Sequence, residues 1–152
     1  MKKVILIAVA AVLAWSTAVY SQDRVIEMLR ADLRAERTAM VEEEMQFTPQ
    51  EAAVFWPVYQ KYENEIRKIN DQRIELIHTY AENYTDITDD IAEQLAKKSL
   101  ELDIKEAYLR KQYFREFNHA LPATRAAKFF QLDNFINLVV KTQIAEELPF
   151  IE

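Results

Sequence analysis

The sequence contains no glycine in 152 residues, and this absence restricts the fold more than any other feature. Glycine supplies the positive φ of primed hairpin turns and lets the backbone come close to a bound phosphate. A chain without glycine is therefore poorly suited to a hairpin-rich sheet, a P-loop or a dinucleotide-binding turn. The absence predicts an all-α fold.

Apolar residues recur at three- and four-residue steps in four segments, which is typical of amphipathic helices. The stripes consist, in chain order, of Ile26, Leu29, Leu33 and Met40; of Phe55, Val58, Tyr59, Tyr62, Ile66, Ile69, Arg73, Leu76, Ile77, Tyr80 and Tyr84; of Ile91, Leu95, Leu102, Leu109, Tyr113 and Phe117; and of Phe129, Leu132, Ile136, Val139, Val140 and Ile144. The pattern predicts one four-helix hairpin or bundle-like domain over residues 22–152. Its two long central helices form the hairpin, and the first and fourth complete the core or a dimer interface.

Local signals predict where the helices begin. Thr48 has the properties of an N-cap, Pro49 suits the first helical position, and Glu51 completes a capping box, with Phe47 placed to pack against the first turns. Pro57 is expected to kink the second helix or to end a short helix before it. Thr88 is expected to cap the third helix, and Leu121-Pro122 to open the fourth.

The N-terminus has the layout of a secretory signal peptide. Lys2 and Lys3 precede an apolar run, and small and polar residues follow it. The run is shorter than the roughly 20 apolar residues that a membrane-spanning helix requires. We expect a cleaved signal over residues 1–21 and a periplasmic mature protein that is not embedded in a membrane. Cleavage before Gln22 and cleavage before Val19 both fit the small residues upstream.

Charge and cysteine content exclude two classes of function. The formal net charge is −6, and loss of Lys2 and Lys3 makes the mature chain more acidic still. A nucleic-acid partner is not expected, because phosphate neutralisation needs a basic surface. The chain has no cysteine, so it offers neither disulfides nor thiol chemistry.

No set of residues predicts an enzyme, a cofactor or a metal site. His78 lies near Glu75 and Glu82, an arrangement that can orient a general base, but an exposed histidine on a charged helix explains it more simply. His119 fits the C-terminal end of a helix. The acids around Thr88 lack the spacing of a calcium loop and fit the first turn of a helix instead; they are Asp86, Asp89, Asp90 and Glu93.

Two features are candidates for binding a client or partner. Arg30, Arg34 and Arg37 form a basic row on the first helix. Apolar surface is expected where rings are adjacent in sequence, since two neighbouring rings cannot both face inward. Trp56 beside Phe55 and Phe114 beside Tyr113 are such pairs. The candidate binding residues at and around them are Phe55, Trp56, Pro57, Tyr59 and Phe114. The structural alternatives are that the rings form the core and that the arginines pair with Asp23 and Glu27.

Several segments carry a resemblance. Phe47–Tyr59 (FTPQEAAVFWPVY), Phe129–Asn134 (FFQLDN) and the ending Leu148–Ile151 resemble segments of a family of small exported helical bacterial proteins. More distantly, FTPQE is similar to the LTxxQ motif of Spy-like periplasmic chaperones, with phenylalanine in place of leucine and glutamate in place of glutamine. Residues 121–125 (LPATR) lack the threonine and glutamine of a second copy.

The resemblance implies a non-enzymatic binding protein of the envelope. One expectation is a holdase chaperone or envelope-stress protein whose partner is an unfolded client protein. The alternative is an accessory or sensor protein that docks on a membrane signalling partner. A homodimer is compatible with both, and a hydrolase is the third hypothesis, which would need His78 or His119 in a pocket.

Overall fold

The computed structural model of the protein describes residues 34–151, and this part of the chain is all-α. Helix α1 is described over residues 34–45, α2 spans Pro49–Asn83, α3 spans Asp89–Ala120 and α4 spans Ala123–Glu147. A 3-10 turn at Tyr84–Asp86 follows α2. The predicted fold class is confirmed, while residues 22–33 of the predicted first helix and the signal segment lie outside the described residues.

The chain divides into two compact units, residues 1–44 and residues 45–152. In the described part of the first unit, Val41 is buried, whereas Glu36, Met40 and Glu43 are exposed. The second unit contains α2, α3 and α4, and the contacts between helices described below lie within it.

The connections show how a chain without glycine ends its helices. Gln46 follows α1 with a φ of 46°, a left-handed conformation for which glycine would be the usual residue. The other connections avoid that conformation. Thr88 and Leu121 are extended, with φ of −92° and −131°, and Pro122 follows Leu121 to open α4. Among the described residues, Gln46 alone has a positive φ.

The predicted helix starts are confirmed. At α2, the Thr48 hydroxyl accepts from the Glu51 N–H at 3.2 Å, and the Glu51 carboxylate accepts from the Thr48 N–H at 3.0 Å. At α3, the Thr88 hydroxyl accepts from the Ile91 N–H at 3.3 Å. Pro57 does not end a helix, since α2 continues through it. Pro57 is exposed, so water can reach the carbonyl that its missing N–H leaves free.

Helices α2 and α3 form an antiparallel hairpin, and α4 packs along both. Tyr62 lies against Tyr113, and Arg73 pairs with Glu106 further along the hairpin, so residue numbers run in opposite directions on the two helices. Helix α4 runs parallel to α2: its first turn meets the start of α2, and Tyr80 near the end of α2 donates to the Pro149 carbonyl at 2.7 Å. The predicted bundle-like arrangement is confirmed: the two long helices α2 and α3 form a hairpin, and α4 lies beside them.

Burial is uneven along this three-helix unit. The proximal half, which we define as residues 45–69 and 102–136, contains all the buried side chains of the unit. They are Met45, Phe55, Tyr59, Tyr62, Ile66, Ile69, Leu102, Glu106, Phe117, Leu121, Ala126, Phe129, Asp133 and Ile136. In the distal half, residues 70–101 and 137–151, no described side chain is buried. The core therefore occupies only one end of the hairpin.

Candidate functional site

A cluster of ten aromatic rings fills the proximal half. Neighbouring ring centroids are 4.3 to 6.2 Å apart. The members are Phe47, Phe55, Trp56, Tyr59, Tyr62, Tyr113, Phe114, Phe117, Phe129 and Phe130. Phe55 lies at its centre, 5.1 Å from both Phe117 and Phe129. Aromatic pairs at these separations add packing energy beyond the area that they bury.

The predicted aromatic surface is therefore only partly a surface. Phe55 and Tyr59 are buried in the cluster because their stripe on α2 faces α3 and α4, so neither ring is available to a partner. Trp56 is half-buried against Phe55 and Tyr59. Pro57 is exposed on α2, and Phe114 is exposed at the rim of the cluster. Four of the five predicted residues thus belong to one aromatic cluster, and Pro57 is the exception. The rings in the interior of the cluster form part of the core.

The predicted arginine row is described only in part. Arg30 lies outside the described residues. Arg34 and Arg37 are half-buried on α1, and each already interacts with other groups of the protein. The alternative pairing with Asp23 and Glu27 involves residues outside the described part of the chain, so the role of this row stays a prediction.

A second apolar surface lies on α3 and was not singled out from the sequence. Leu100, Ile104 and Tyr108 are 63%, 58% and 70% exposed. Residues four apart are neighbours on a helix surface. This α3 row, the set Leu100, Ile104 and Tyr108, therefore forms one continuous strip of about 12 Å at 1.5 Å per residue. Single exposed apolar residues are ordinary, whereas a contiguous strip is a candidate for an interaction surface.

The α3 row points away from the hairpin. Leu102 and Glu106 are buried, and each is two residues, or about 200° of helix rotation, from a member of the row. The sequence does contain a sign of this row: Leu100, Ile104 and Tyr108 follow one another by four residues, two positions away from Leu102 of the predicted inner stripe. It was missed because the inner stripe alone satisfied the helical pattern.

Basic side chains accompany the α3 row. Lys111 and Arg115 are exposed one and two turns beyond Tyr108, on the same side of α3. Lys97, one turn before the row, pairs with Glu93 at 2.5 Å. Between residues 104 and 115, the exposed charges are all basic, since Glu106 is buried in an ion pair. At the other end of the row, Glu101 is exposed beside Leu100 and lies 4.0 Å from Lys98. The Tyr108 end of the row therefore combines apolar and basic groups, which suits segments that are apolar and acidic.

Two polar networks hold the three helices under this surface. The buried Asp133 carboxylate on α4 accepts from the Tyr62 hydroxyl at 2.9 Å and pairs with Arg110 at 2.6 Å. Further along, Glu106 pairs with Arg73 at 3.1 Å and with Lys141 at 3.0 Å. Each network joins α2, α3 and α4, so α3 presents its row from a fixed position.

Glu51 forms a third link, between the starts of α2 and α4. Arg125 donates to both of its carboxylate oxygens, at 2.9 and 3.0 Å, and lies over the Phe47 ring. The hydrogen bond from the Thr48 N–H and the Arg125 guanidinium hold the pKa of the Glu51 carboxyl below its usual 4.5. This bidentate pair orients α4 relative to α2.

The candidate enzymatic residues do not come together. His78 and His119 are exposed, and Glu75 and Glu82 beside His78 are exposed as well. Asp89 and Asp90 lie in the first turn of α3, as the capping interpretation expected. Within residues 34–151, no group of three or more histidine, aspartate or glutamate side chains is arranged to hold a metal ion, and no helix has the length and apolar character to cross a membrane.

Comparisons with protein-family models, with curated proteins and with solved structures gave no match for this chain.

Proposed function

We propose that this protein is a non-enzymatic binding protein of the periplasm, a Spy-like holdase that takes up segments of partly unfolded clients on the α3 row. The observation that carries the proposal is the exposure of Leu100, Ile104 and Tyr108 on one face, with Lys111 and Arg115 beside them. A folded protein that leaves such a strip in solvent has a binding surface ready without a conformational change.

The chemistry of this face suits transient binding of many sequences. The three apolar side chains contact exposed apolar residues of a client without requiring a particular order of residues. The basic side chains raise the rate of encounter with acidic segments more than they lengthen the life of the complex. A holdase needs this combination, because it must bind quickly and release without an energy source.

Two features of the sequence bear on this proposal, one on the cellular setting and one on the resemblance. The pattern of residues 1–21 favours export through a cleavable signal peptide. The FTPQE segment that resembles the chaperone motif forms the capping box at the start of α2. In this chain the motif thus has a structural role at the start of α2.

The test is light scattering of an aggregating client in the presence of the purified protein. The wild type is expected to suppress aggregation. The variant Leu100→Gln/Ile104→Gln/Tyr108→Gln is expected to lose most of this activity at unchanged melting temperature, because glutamine is a good helix former and the three positions are exposed.

The matched control is Phe135→Gln/Leu138→Gln on α4, which removes two exposed apolar side chains from another face. It should suppress aggregation as the wild type does. Equal activity of the α3 variant, or no suppression by the wild type at several-fold excess, would contradict the holdase proposal. Binding of a folded sensor domain without suppression would instead favour the accessory role.

A further inference from the structure

The last part of α4 packs differently from the rest of the helix. Phe129 and Ile136 on its inner face are buried in the core. The inner stripe continues with Val140 and Ile144 at helical spacing, yet from residue 138 to residue 146 every side chain is exposed. Burial of apolar side chains therefore fixes α4 up to Ile136 and contributes much less beyond it. We call residues 138–149 the α4 strap.

Polar contacts join the α4 strap to the α2–α3 hairpin near each of its ends. Near its start, the Lys141 ammonium lies 3.0 Å from the Glu106 carboxylate and 3.9 Å from that of Asp103, both on α3. At its end, the Pro149 carbonyl accepts from the Tyr80 hydroxyl on α2 at 2.7 Å. The Lys141 side chain is 47% exposed, and the Tyr80 hydrogen bond is exposed to solvent as well. Exposed polar contacts contribute little to stability, so the strap can separate from the hairpin at low cost.

The face of α2 beneath the strap is apolar between these two contacts. Arg73 pairs with Glu106, the same carboxylate that holds the start of the strap, and Tyr80 holds its end. Ile77 follows Arg73 by four residues and precedes Tyr80 by three, so the three residues share one face of α2. Ile77 is half-buried. The strap therefore passes over a part of α2 whose apolar side chain water reaches only in part.

The strap presents apolar side chains to the same region. Ile144 and Leu148 follow Lys141 by three and seven residues, so they lie on the side of α4 that Lys141 directs at the hairpin. Leu148 is half-buried, whereas Ile144 is 36% exposed. Ile144 and Leu148 thus lie on the side toward Ile77, but this region is not closed to water as the aromatic cluster is.

We propose that the α4 strap opens and closes on the α2–α3 hairpin as a unit, hinged where the buried stripe ends at Ile136, and so controls access to the apolar face of α2 around Ile77. In the closed state described above, the Lys141 ion pairs and the Tyr80 hydrogen bond keep the strap in place. Opening breaks both contacts and leaves the aromatic cluster intact, since no buried side chain moves. The α3 row points away from the hairpin, so this proposal does not depend on the client-binding proposal.

The first test uses the absence of cysteine from the chain, which makes any introduced thiol the only one present. The thiol of Ile77→Cys should react several-fold faster with a labelling reagent when Tyr80→Phe or Lys141→Gln is added, because each change removes one contact of the strap. His78→Cys, at an exposed neighbouring position, should react at one rate in every background. Lys97→Gln is the matched control for Lys141→Gln, because Lys97 pairs with Glu93 within α3, and it should leave the rate of Ile77→Cys unchanged. Equal rates of Ile77→Cys in all backgrounds would overturn the proposal.

The second test, amide hydrogen exchange, separates opening as a unit from ordinary fraying of a helix end. Fraying gives exchange that slows steadily from the end of α4 back towards Ile136, whereas a unit gives one common opening equilibrium for the amides of the strap. Tyr80→Phe should raise exchange at all of these amides by the same factor and leave the aromatic cluster unchanged. High ionic strength should also raise their exchange in the wild type, but not in Lys141→Gln, because salt screens the ion pairs of Lys141. A graded profile in which Tyr80→Phe affects the last turn alone would show fraying and overturn the strap.

Discussion

The proximal and distal halves of the three-helix unit are built on the same helices and the same kind of apolar stripe, yet only the proximal half has a buried core. On α2, Ile66 and Ile69 are buried, whereas Leu76, Ile77 and Tyr80 further along the same stripe are half-buried. The stripe itself does not change. The difference lies in what packs against it.

In the proximal half, three helices contribute large rings to a common centre, and Phe55, Phe117 and Phe129 touch there from α2, α3 and α4. In the distal half, the residues of α4 that follow the inner face are Val140 and Ile144, and both are exposed. Two helices bury only the seam between them, and a third must close over that seam to exclude water. Burial depth thus depends on the number of helices that meet.

The two halves should also differ in how readily they open. Regions with few buried apolar contacts open at lower free energy than the global unfolding transition. The distal ends of α2 and α3 should therefore open locally, while the aromatic cluster should open only when the unit unfolds. The α3 row spans the boundary, with Leu100 in the distal half and Tyr108 in the proximal half.

The largest expected difference in stability between a change in the proximal half and a change in the distal half is at Asp133. Asp133→Ala removes the partner of Arg110 and the acceptor of the Tyr62 hydroxyl within the proximal half. The Arg110 guanidinium, whose side chain is 19% exposed, is then left without its partner, and the cost approaches that of breaking a buried ion pair, about 3–5 kcal/mol. Glu93→Ala is the control in the distal half, because Glu93 pairs with Lys97 and their side chains are 62% and 69% exposed. Exposed pairs contribute at most about 1 kcal/mol. Similar costs in urea unfolding would contradict the distinction.

A sharper comparison uses two leucines on one face of α3. Leu102 is buried in the proximal half, and Leu95, seven residues earlier, is half-buried in the distal half. Leu102→Ala should cost about 2–5 kcal/mol, the range for a buried leucine. Leu95→Ala should cost about 1 kcal/mol, the centre of the range for substitutions in general. The same chemical change on the same helix removes differences in propensity. Equal losses in urea unfolding would show that the distal half is as well packed as the proximal half.

The sequence predicted much of this fold and its helix boundaries. The absence of glycine predicted the all-α class, and Thr48, Thr88 and Pro122 predicted the helix starts, because these signals act over three or four residues. The sequence did not predict how deeply each part of the α2 stripe is buried, because the stripe continues to Tyr84 without a change in spacing. The position of α4 decides where that stripe becomes covered, and this position depends on contacts between residues about 70 apart, such as those of Arg125 with Glu51.

The candidate site was harder to predict than the fold. Phe55 and Tyr59 were candidate binding residues together with Trp56, but all three rings fit into the cluster, where Trp56 packs edge-on against both of the others. The α3 row has an ordinary spacing of four. A helix pattern alone does not reveal which of two apolar faces will be covered, because that depends on where the other helices lie.

The smallest expected effect concerns pH and the link between α2 and α4 in the proximal half. The pKa of Glu51 is lowered in the folded protein, chiefly by the Thr48 N–H and then by Arg125, so the folded state binds this proton more weakly than the unfolded state does. The stabilisation is present above the unfolded pKa, near 4.5, and is lost as pH falls through the folded pKa. Glu51→Gln should therefore lower the melting temperature slightly at pH 7, and the gap to the wild type should close as the pH is lowered below about 4.5. Melting curves between neutral and acid pH measure this gap. A gap that does not change with pH would mean that the Glu51–Arg125 pair is held by shape and hydrogen bonding rather than by charge.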